Sequence, residues 1–247
     1  MFSLEIEFDP DDHDLLIAEL SDHGPAGIVE LSPRKLRAFF EGDRKALLER
    51  YPGSVVREED EERDWVQSAR DLLQPMEVGE RFYLVPEWRD DPTPAGRFRI
   101  VVNPGMAFGT GVHETTRLCI EALETYVRPG ARVLDVGTGS GILAKAAALL
   151  GAERVWACDI DPIAVEIAGM GFIGSADAVA PGVADIVTAN ISPEAIAALA
   201  PDLTRVLRAG GVLLASGFER HEVEQVRAAL PAAREVRESG NWALIAV

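Results

Sequence analysis

Gly137, Gly139 and Gly141 stand at alternate positions directly after the apolar run of Val133, Leu134 and Val136. An apolar run broken by glycines is how a buried parallel strand enters a tight turn. Ile142 to Leu150 then offers good helix formers and no breaker. The first turn of such a helix directs free N–H groups and the positive end of its dipole at whatever lies over the glycines. Val155 to Cys158 reads as a second buried strand that ends on Asp159, eighteen residues beyond Gly141. An acid at that place can accept both hydroxyls of a ribose, so the spacing points to a nucleoside site. A dinucleotide fingerprint would need G-x-G-x-x-G, whereas here the third glycine comes one residue early and Ile142 follows it.

Further polar groups flank this unit. The stretch from Asn103 to Thr116 is too glycine-rich for regular structure and precedes a helix from Thr115 to Tyr126. Thr115 and Thr116 therefore place hydroxyls at a helix N-terminus, where they either cap the helix or meet a ligand. His113 is a candidate proton acceptor or a residue that orders the loop, and Phe108 either walls a reaction site or anchors the loop. Asn190 closes a fourth apolar strand, Ala184 to Ala189, and by residue type alone it is a turn former.

The remaining elements form two groups. Phe2 to Phe8 alternates, with Leu4, Ile6 and Phe8 opposite Ser3, Glu5 and Glu7, as in a half-buried strand. A helix over about 11–22, strands at 26–31 and 35–40, a short helix at 43–51 and a strand at 54–57 complete the order βαββαβ, a split-βαβ, ferredoxin-like unit. The acidic run Glu58 to Glu62 closes it, and a bridging helix over 64–73 follows. We thus expect a first domain over 1–60, a linker over 61–76 and a second domain over 77–247. In the second, strands at 82–85 and 98–102 flank a Pro-rich loop. A short helix at 163–168 and a loop-rich stretch over 169–181 follow Asp159. A helix over 194–207, broken near Pro201, leads to a strand at 212–215, a helix at 221–230 and a closing hairpin joined at Ser239-Gly240. Alternating strands and helices closed by a hairpin make a mainly parallel sheet with one antiparallel strand.

Composition excludes several classes. With 247 residues, 47% of them apolar, the chain can bury a large core. A net charge of −17 argues against binding a nucleic-acid backbone and is compatible with a basic protein partner. No long uncharged apolar stretch predicts a membrane span, and the acidic start M-F-S-L-E-I-E-F-D does not match a signal peptide, so a cytoplasmic protein is expected. Cys119 and Cys158 lie in apolar runs and read as buried thiols, and the four histidines lack metal-ligand spacing.

The spacing G-x-G-x-G resembles motif I of the S-adenosylmethionine-dependent methyltransferases, and D-I-D resembles their ribose-binding acidic strand end. The whole chain resembles the ribosomal protein L11 methyltransferase (PrmA) family, most specifically from Trp65 onward. N-P-G-M-A-F-G-T-G-V-H-E-T-T matches that family's D-P-G-x-A-F-G-T-G-x-H-P-T-T, and V-L-D-V-G-T-G-S-G-I-L-A, D-I-D-P and A-N-I follow in the family's order. The resemblance implies an α/β fold: a Rossmann-like methyltransferase sheet behind a small ferredoxin-like α+β domain that recognises the substrate protein. It implies S-adenosylmethionine as cofactor and lysine ε-amines and the N-terminal amine of a ribosomal protein as methyl acceptors, in a monomer without metal. Carried over by motif, Thr116, Gly137, Gly139, Asp159 and Asn190 surround the cofactor, with Asp177 a further contact for the adenine amino group. Asn190 would also orient the acceptor amine, with Phe108 and His113 beside it.

Asn103, Glu114 and Thr138 depart from the usual Asp, Pro and Cys. The segment between Asp159 and Asn190 is shortened relative to the family and lacks its N-A-x-x-N-G helix end, which bears on the adenine pocket. The alternatives are a lysine methyltransferase of the same family acting on another protein, such as an electron-transfer flavoprotein subunit, and a non-catalytic nucleoside-binding protein.

Overall fold

A computed structural model describes residues 2–21, 23–40, 44–58, 74–102 and 113–247. The chain divides into two compact units, Met1–Leu73 and Gln74–Val247. The bridging helix expected over 64–73 and Phe108, with the glycine-rich stretch around it, lie outside the described residues.

In the first unit, β1 (Phe2–Glu7), α1 (His13–Ser21), β2 (Gly27–Ser32), β3 (Lys35–Phe40), α2 (Arg44–Arg50) and β4 (Val55–Glu58) follow the expected βαββαβ order. They form a sheet ordered β2-β3-β1-β4, whose described pairs β1–β3, β1–β4 and β2–β3 are antiparallel. Phe2, Leu4, Ile6, Leu20, Leu36, Ala38, Phe40 and Leu47 make one core. One expectation fails: β1 is not half-buried. Ser3 and Glu5, on its polar face, are only 0% and 5% exposed. Glu5 is stabilised there by ion pairs with Lys35, at 3.1 Å, and with Arg37. A buried carboxylate is tolerated only with such partners, and β3 supplies them by pairing Glu5 opposite Arg37.

The second unit is built on a seven-stranded sheet ordered β10-β9-β8-β11-β12-β14-β13. Its strands are β8 (Arg132–Val136), β9 (Arg154–Asp159), β10 (Phe172–Ile173), β11 (Ala184–Asn190), β12 (Leu207–Glu219), β13 (Glu235–Ser239) and β14 (Trp242–Ala246). β8 through β12 pair in parallel, and β14 runs antiparallel to both β12 and β13, as the closing hairpin predicted. Strands of a parallel sheet are buried on both faces. Val133, Ile186, Val212, Leu214 and Leu244 pack in one core with α3 (Glu114–Tyr126) and α4 (Ile142–Leu149). Leu134, Val136, Val187, Leu213 and Ile245 pack in another with α6 (Pro193–Arg205) and α7 (Val223–Ala229). The short helix α5 (Pro162–Ala168) follows β9.

A second, three-stranded sheet comprises β5 (Met76–Val78), β6 (Phe82–Pro86) and β7 (Phe98–Val102). Its Phe82, Leu84, Ile100 and Val102 join the core around α3 and α4. β5 carries too few residues to show a period, and its Met76 already pairs with Leu84.

Three boundaries differ from the sequence reading. Helix α6 runs through Pro201 without a break. An interior proline costs about 3 kcal/mol, but Leu203 and Val206 beyond it are fully buried, and two such side chains return about 1.5–3 kcal/mol each. Gly210 and Gly211 do not lie between helix and strand, because β12 already begins at Leu207 and bulges there against β11. The helix expected from His221 starts as a 3-10 turn and becomes α-helical at Val223.

Candidate functional site

The site is assembled at the carboxyl ends of β8, β9 and β11, where open α/β sheets hold ligands. After β8 the chain turns through Gly137, Gly139 and Gly141, with φ of 69°, 52° and 74°, a region favoured by glycine. Space bears on two of them as well, decisively at Gly137 and as a tight fit at Gly141. A Cβ on Gly137 would lie 2.3 Å from the Ile191 side chain, and one on Gly141 only 3.0 Å from Ala168 at the end of α5. The third glycine therefore stands one residue earlier than in a dinucleotide fingerprint, at the point where α5 approaches.

The turn is fastened to β9. The Gly137 and Thr138 N–H groups both donate to the Cys158 carbonyl, at 2.9 and 3.0 Å. The Gly139 N–H donates to Asp159 Oδ2 at 2.9 Å, and the Asp161 N–H to Asp159 Oδ1 at 3.0 Å. Each Asp159 oxygen thus accepts one backbone bond and keeps a second lone-pair direction. The Asp161 side chain instead accepts from the Ile163 N–H at 2.8 Å and caps α5.

Beneath the turn lies Asp135, 1% exposed, which the sequence reading passed over. Thr138 donates to its Oδ2 at 2.7 Å and Thr188 to its Oδ1 at 2.6 Å. Burial pushes its carboxyl above the usual range, and the two hydroxyls and the Ala144 N–H pull it back. The carboxylate cross-links the turn to β11, because register sets Thr188 beside Asp135. An acid inside the run V-L-D-V was the available signal. Burial likewise pushes the Cys158 thiol up to about 12, and it raises Cys119, so both cysteines are inert structural thiols.

On the other side of the turn, Asn190 ends β11 and its side-chain amide donates to Thr116 Oγ1 at 3.4 Å, the long end of the hydrogen-bond range. These two residues are brought together across 74 positions of chain. Neither threonine caps α3. The N-cap is His113, whose Nδ1 accepts from the Thr115 N–H at 3.3 Å and lies 2.8 Å from the Thr115 hydroxyl. Its ring packs edge-on against Trp242, centroids 4.4 Å apart, so the closing hairpin steadies the start of α3. Gly217, at a bulge in β12, is also required, since a Cβ there would lie 2.2 Å from the Ile191 carbonyl. Asp177 sits exposed on the 3-10 turn Ala176–Ala178, in the connection that follows β10. No cluster of three or more potential metal ligands occurs among the described residues.

A mainly parallel sheet with one antiparallel strand, carrying a glycine turn hydrogen-bonded to an acid at the next strand end, defines the chain as a Rossmann-like methyltransferase fold. The family model of ribosomal protein L11 methyltransferase (PrmA) matches residues 41–247, and the chain belongs to that family. It is 44% identical over 201 residues to a ribosomal protein L11 methyltransferase of Pelotomaculum thermopropionicum, covering 75% of this chain and 65% of that protein, just under two thirds of its length. It is 40% identical over 236 residues to one of Desulfitobacterium hafniense, covering 87% of this chain and 74% of that protein. A crystal structure of a ribosomal protein L11 methylase from Lactobacillus delbrueckii subsp. bulgaricus superposes with a TM-score of 0.64 at 32% identity, covering 70% of this chain and 97% of that one.

Proposed function

We propose that the chain transfers methyl groups from S-adenosylmethionine to amines of ribosomal protein L11, both lysine ε-amines and the N-terminal amine. The observation that carries this reading is the Asp159 carboxylate held against the Gly139 N–H with acceptor capacity left on both oxygens. Two vicinal ribose hydroxyls are the donors such a group fits. Gly137 and Gly139 keep the turn bare for close approach, Asp177 serves the adenine amino group, and Thr116 and Asn190 border the amino-acid end. The cofactor, when bound, supplies a methyl group on a positively charged sulfur.

The rest of the chemistry falls to this chain's residues. A lysine amine has a reference pKa of about 10.4 and must be neutral to react. Burial beside a positive charge favours the neutral form. Asn190 donates its NH2 to Thr116, and its amide oxygen is the acceptor that would take an amine N–H. An acceptor fixed at a strand end aims the nitrogen lone pair, and positioning of this kind is the main requirement of an in-line displacement. His113, which caps α3 and packs against Trp242, orders the entrance of the acceptor site.

The first unit presents the basic substrate protein, the second performs the transfer, and the enzyme acts as a cytoplasmic monomer without nucleic acid or membrane. Among the described residues no helix is long and apolar enough to cross a membrane. Incubation of unmethylated ribosomal proteins with the chain and S-adenosylmethionine, followed by mass spectrometry, tests the assignment. Mass increments of about 14 Da on L11 lysines support it, and increments confined to another protein refute the substrate.

A further inference from the structure

Strands β10 and β11 are parallel members of one sheet separated by β9 and β8. A crossover of this kind ordinarily takes a dozen or more residues and a helix. Here residues 174–183 make it with a single 3-10 turn, Ala176–Ala178. A connection without a helix leaves carbonyl groups that its own backbone cannot satisfy. Arg205, in the last turn of α6, meets two of them, those of Val179 and Asp177, and adds a bond to the Ala176 carbonyl, which already accepts the Val179 N–H at 3.1 Å. Its Nη1 donates to the Val179 carbonyl at 2.8 Å, and its Nη2 to the Ala176 carbonyl at 3.0 Å and the Asp177 carbonyl at 3.3 Å. Its Nε donates to Asp202 at 2.9 Å, which fixes the plane of the fork, and its own carbonyl accepts from the Gly182 N–H at 3.0 Å.

The segment so held reaches the candidate site. It leaves β10 where the Gly174 N–H donates to the Asp159 carbonyl at 2.8 Å. Ala176 is buried in the core that contains Val136 and Cys158, and Val179 packs against it. The Asp177 carboxylate is near enough to raise the Cys158 thiol further.

We infer that Arg205 is a positioning residue for the adenosyl part of the ligand: it holds the helix-free crossover, with Asp177, beside Asp159 and sets affinity without touching the ligand. This rests on the cofactor reading above, and the experiment separates the two. The full chain and its Arg205→Met, Arg205→Lys and Asp202→Asn variants are titrated calorimetrically with S-adenosylhomocysteine. Thermal melting and hydrogen exchange at the Val179 and Gly182 amides are followed in parallel.

Loss of the fork should weaken binding about tenfold or more and speed exchange at both amides. In turnover, KM for S-adenosylmethionine should rise with kcat within about twofold, a split that a general loss of structure does not produce. Arg205→Lys should recover part of the affinity, because an ammonium can serve some of the carbonyls but cannot reproduce the planar fork. Should Arg205→Met fail to fold, Arg205→Lys and Asp202→Asn decide the matter, and wild-type affinity in both overturns the inference. A wild-type chain that does not bind S-adenosylhomocysteine overturns the cofactor reading itself. Binding by the wild type with unchanged affinity in a folded Arg205→Met variant overturns only the role of Arg205.

Discussion

Replacing Asp159 separates ligand binding from local structure, because the carboxylate serves both. In the free protein it accepts the Gly139 and Asp161 N–H groups, at 2.9 and 3.0 Å. Hydrogen bonds to a charged group contribute about 1.5–3 kcal/mol each when shielded. Asp159 is half-buried, so water can replace part of what Ala removes. A total cost of about 1–3 kcal/mol to the second unit is expected, lowering its melting temperature by roughly 2–4 °C per kcal/mol. In the complex, two ribose hydroxyls lose a charged acceptor, worth a further loss of about 1.5–3 kcal/mol, or roughly 10- to 150-fold in Kd. Asp159→Asn keeps one oxygen acceptor and should fall between wild type and Ala in both measurements. Asp161→Ala is the control: it removes an N-cap worth about 1 kcal/mol and should leave Kd within about twofold. Isothermal titration with S-adenosylhomocysteine and thermal unfolding of the same samples give both numbers. A folded Asp159→Ala variant that binds with wild-type affinity refutes the assignment of Asp159 to the ribose.

Asn190→Ala should lower kcat about a hundredfold with little change in melting temperature if the amide orients the amine, whereas a turn residue would cost about 1 kcal/mol of stability and leave kcat normal. Thr188→Val leaves the buried Asp135 carboxylate with one hydroxyl fewer and should destabilise the second unit by about 1–3 kcal/mol, measured by denaturant unfolding; an unchanged midpoint would remove this contact from the turn's support. The thiols of Cys119 and Cys158 remain protonated in the fold at pH values where the unfolded chain's thiols, near pKa about 8.5, ionise. Their stabilising contribution is complete below that value and is lost as pH rises toward the Cys158 value of about 12. Unfolding midpoints should therefore drop above about pH 9, and a thiol reagent at about pH 8 should label neither cysteine until the protein unfolds. Removal of residues 1–73 should preserve cofactor affinity and abolish methylation of the intact substrate protein; full turnover by the truncated chain would refute the recognition role.

Local patterns made much of this protein legible. The run V-L-D-V followed by three alternate glycines, the breaker-free helix and the strand ending on Asp159 needed only periodicity and turn chemistry, because each of those elements is set by neighbours a few residues away. The closing hairpin and the βαββαβ order were readable for the same reason. Contacts between distant segments depend on strand register, which no local pattern records. Ser3 and Glu5 look solvent-facing in sequence, yet they are buried, and register against β3 is what gives Glu5 its cationic partners. Pro201 reads as a helix breaker until Leu203 and Val206 are seen buried beyond it. Thr116 meets Asn190 across 74 residues, Thr188 meets Asp135 across 53, and Arg205 reaches its loop across 26 to 29. Side chains of ordinary type acquire these partners only when the packed sheet brings strand ends, helix ends and crossovers side by side. Residue types determined the chemistry available at the candidate site, and tertiary structure decided which of those groups face one another.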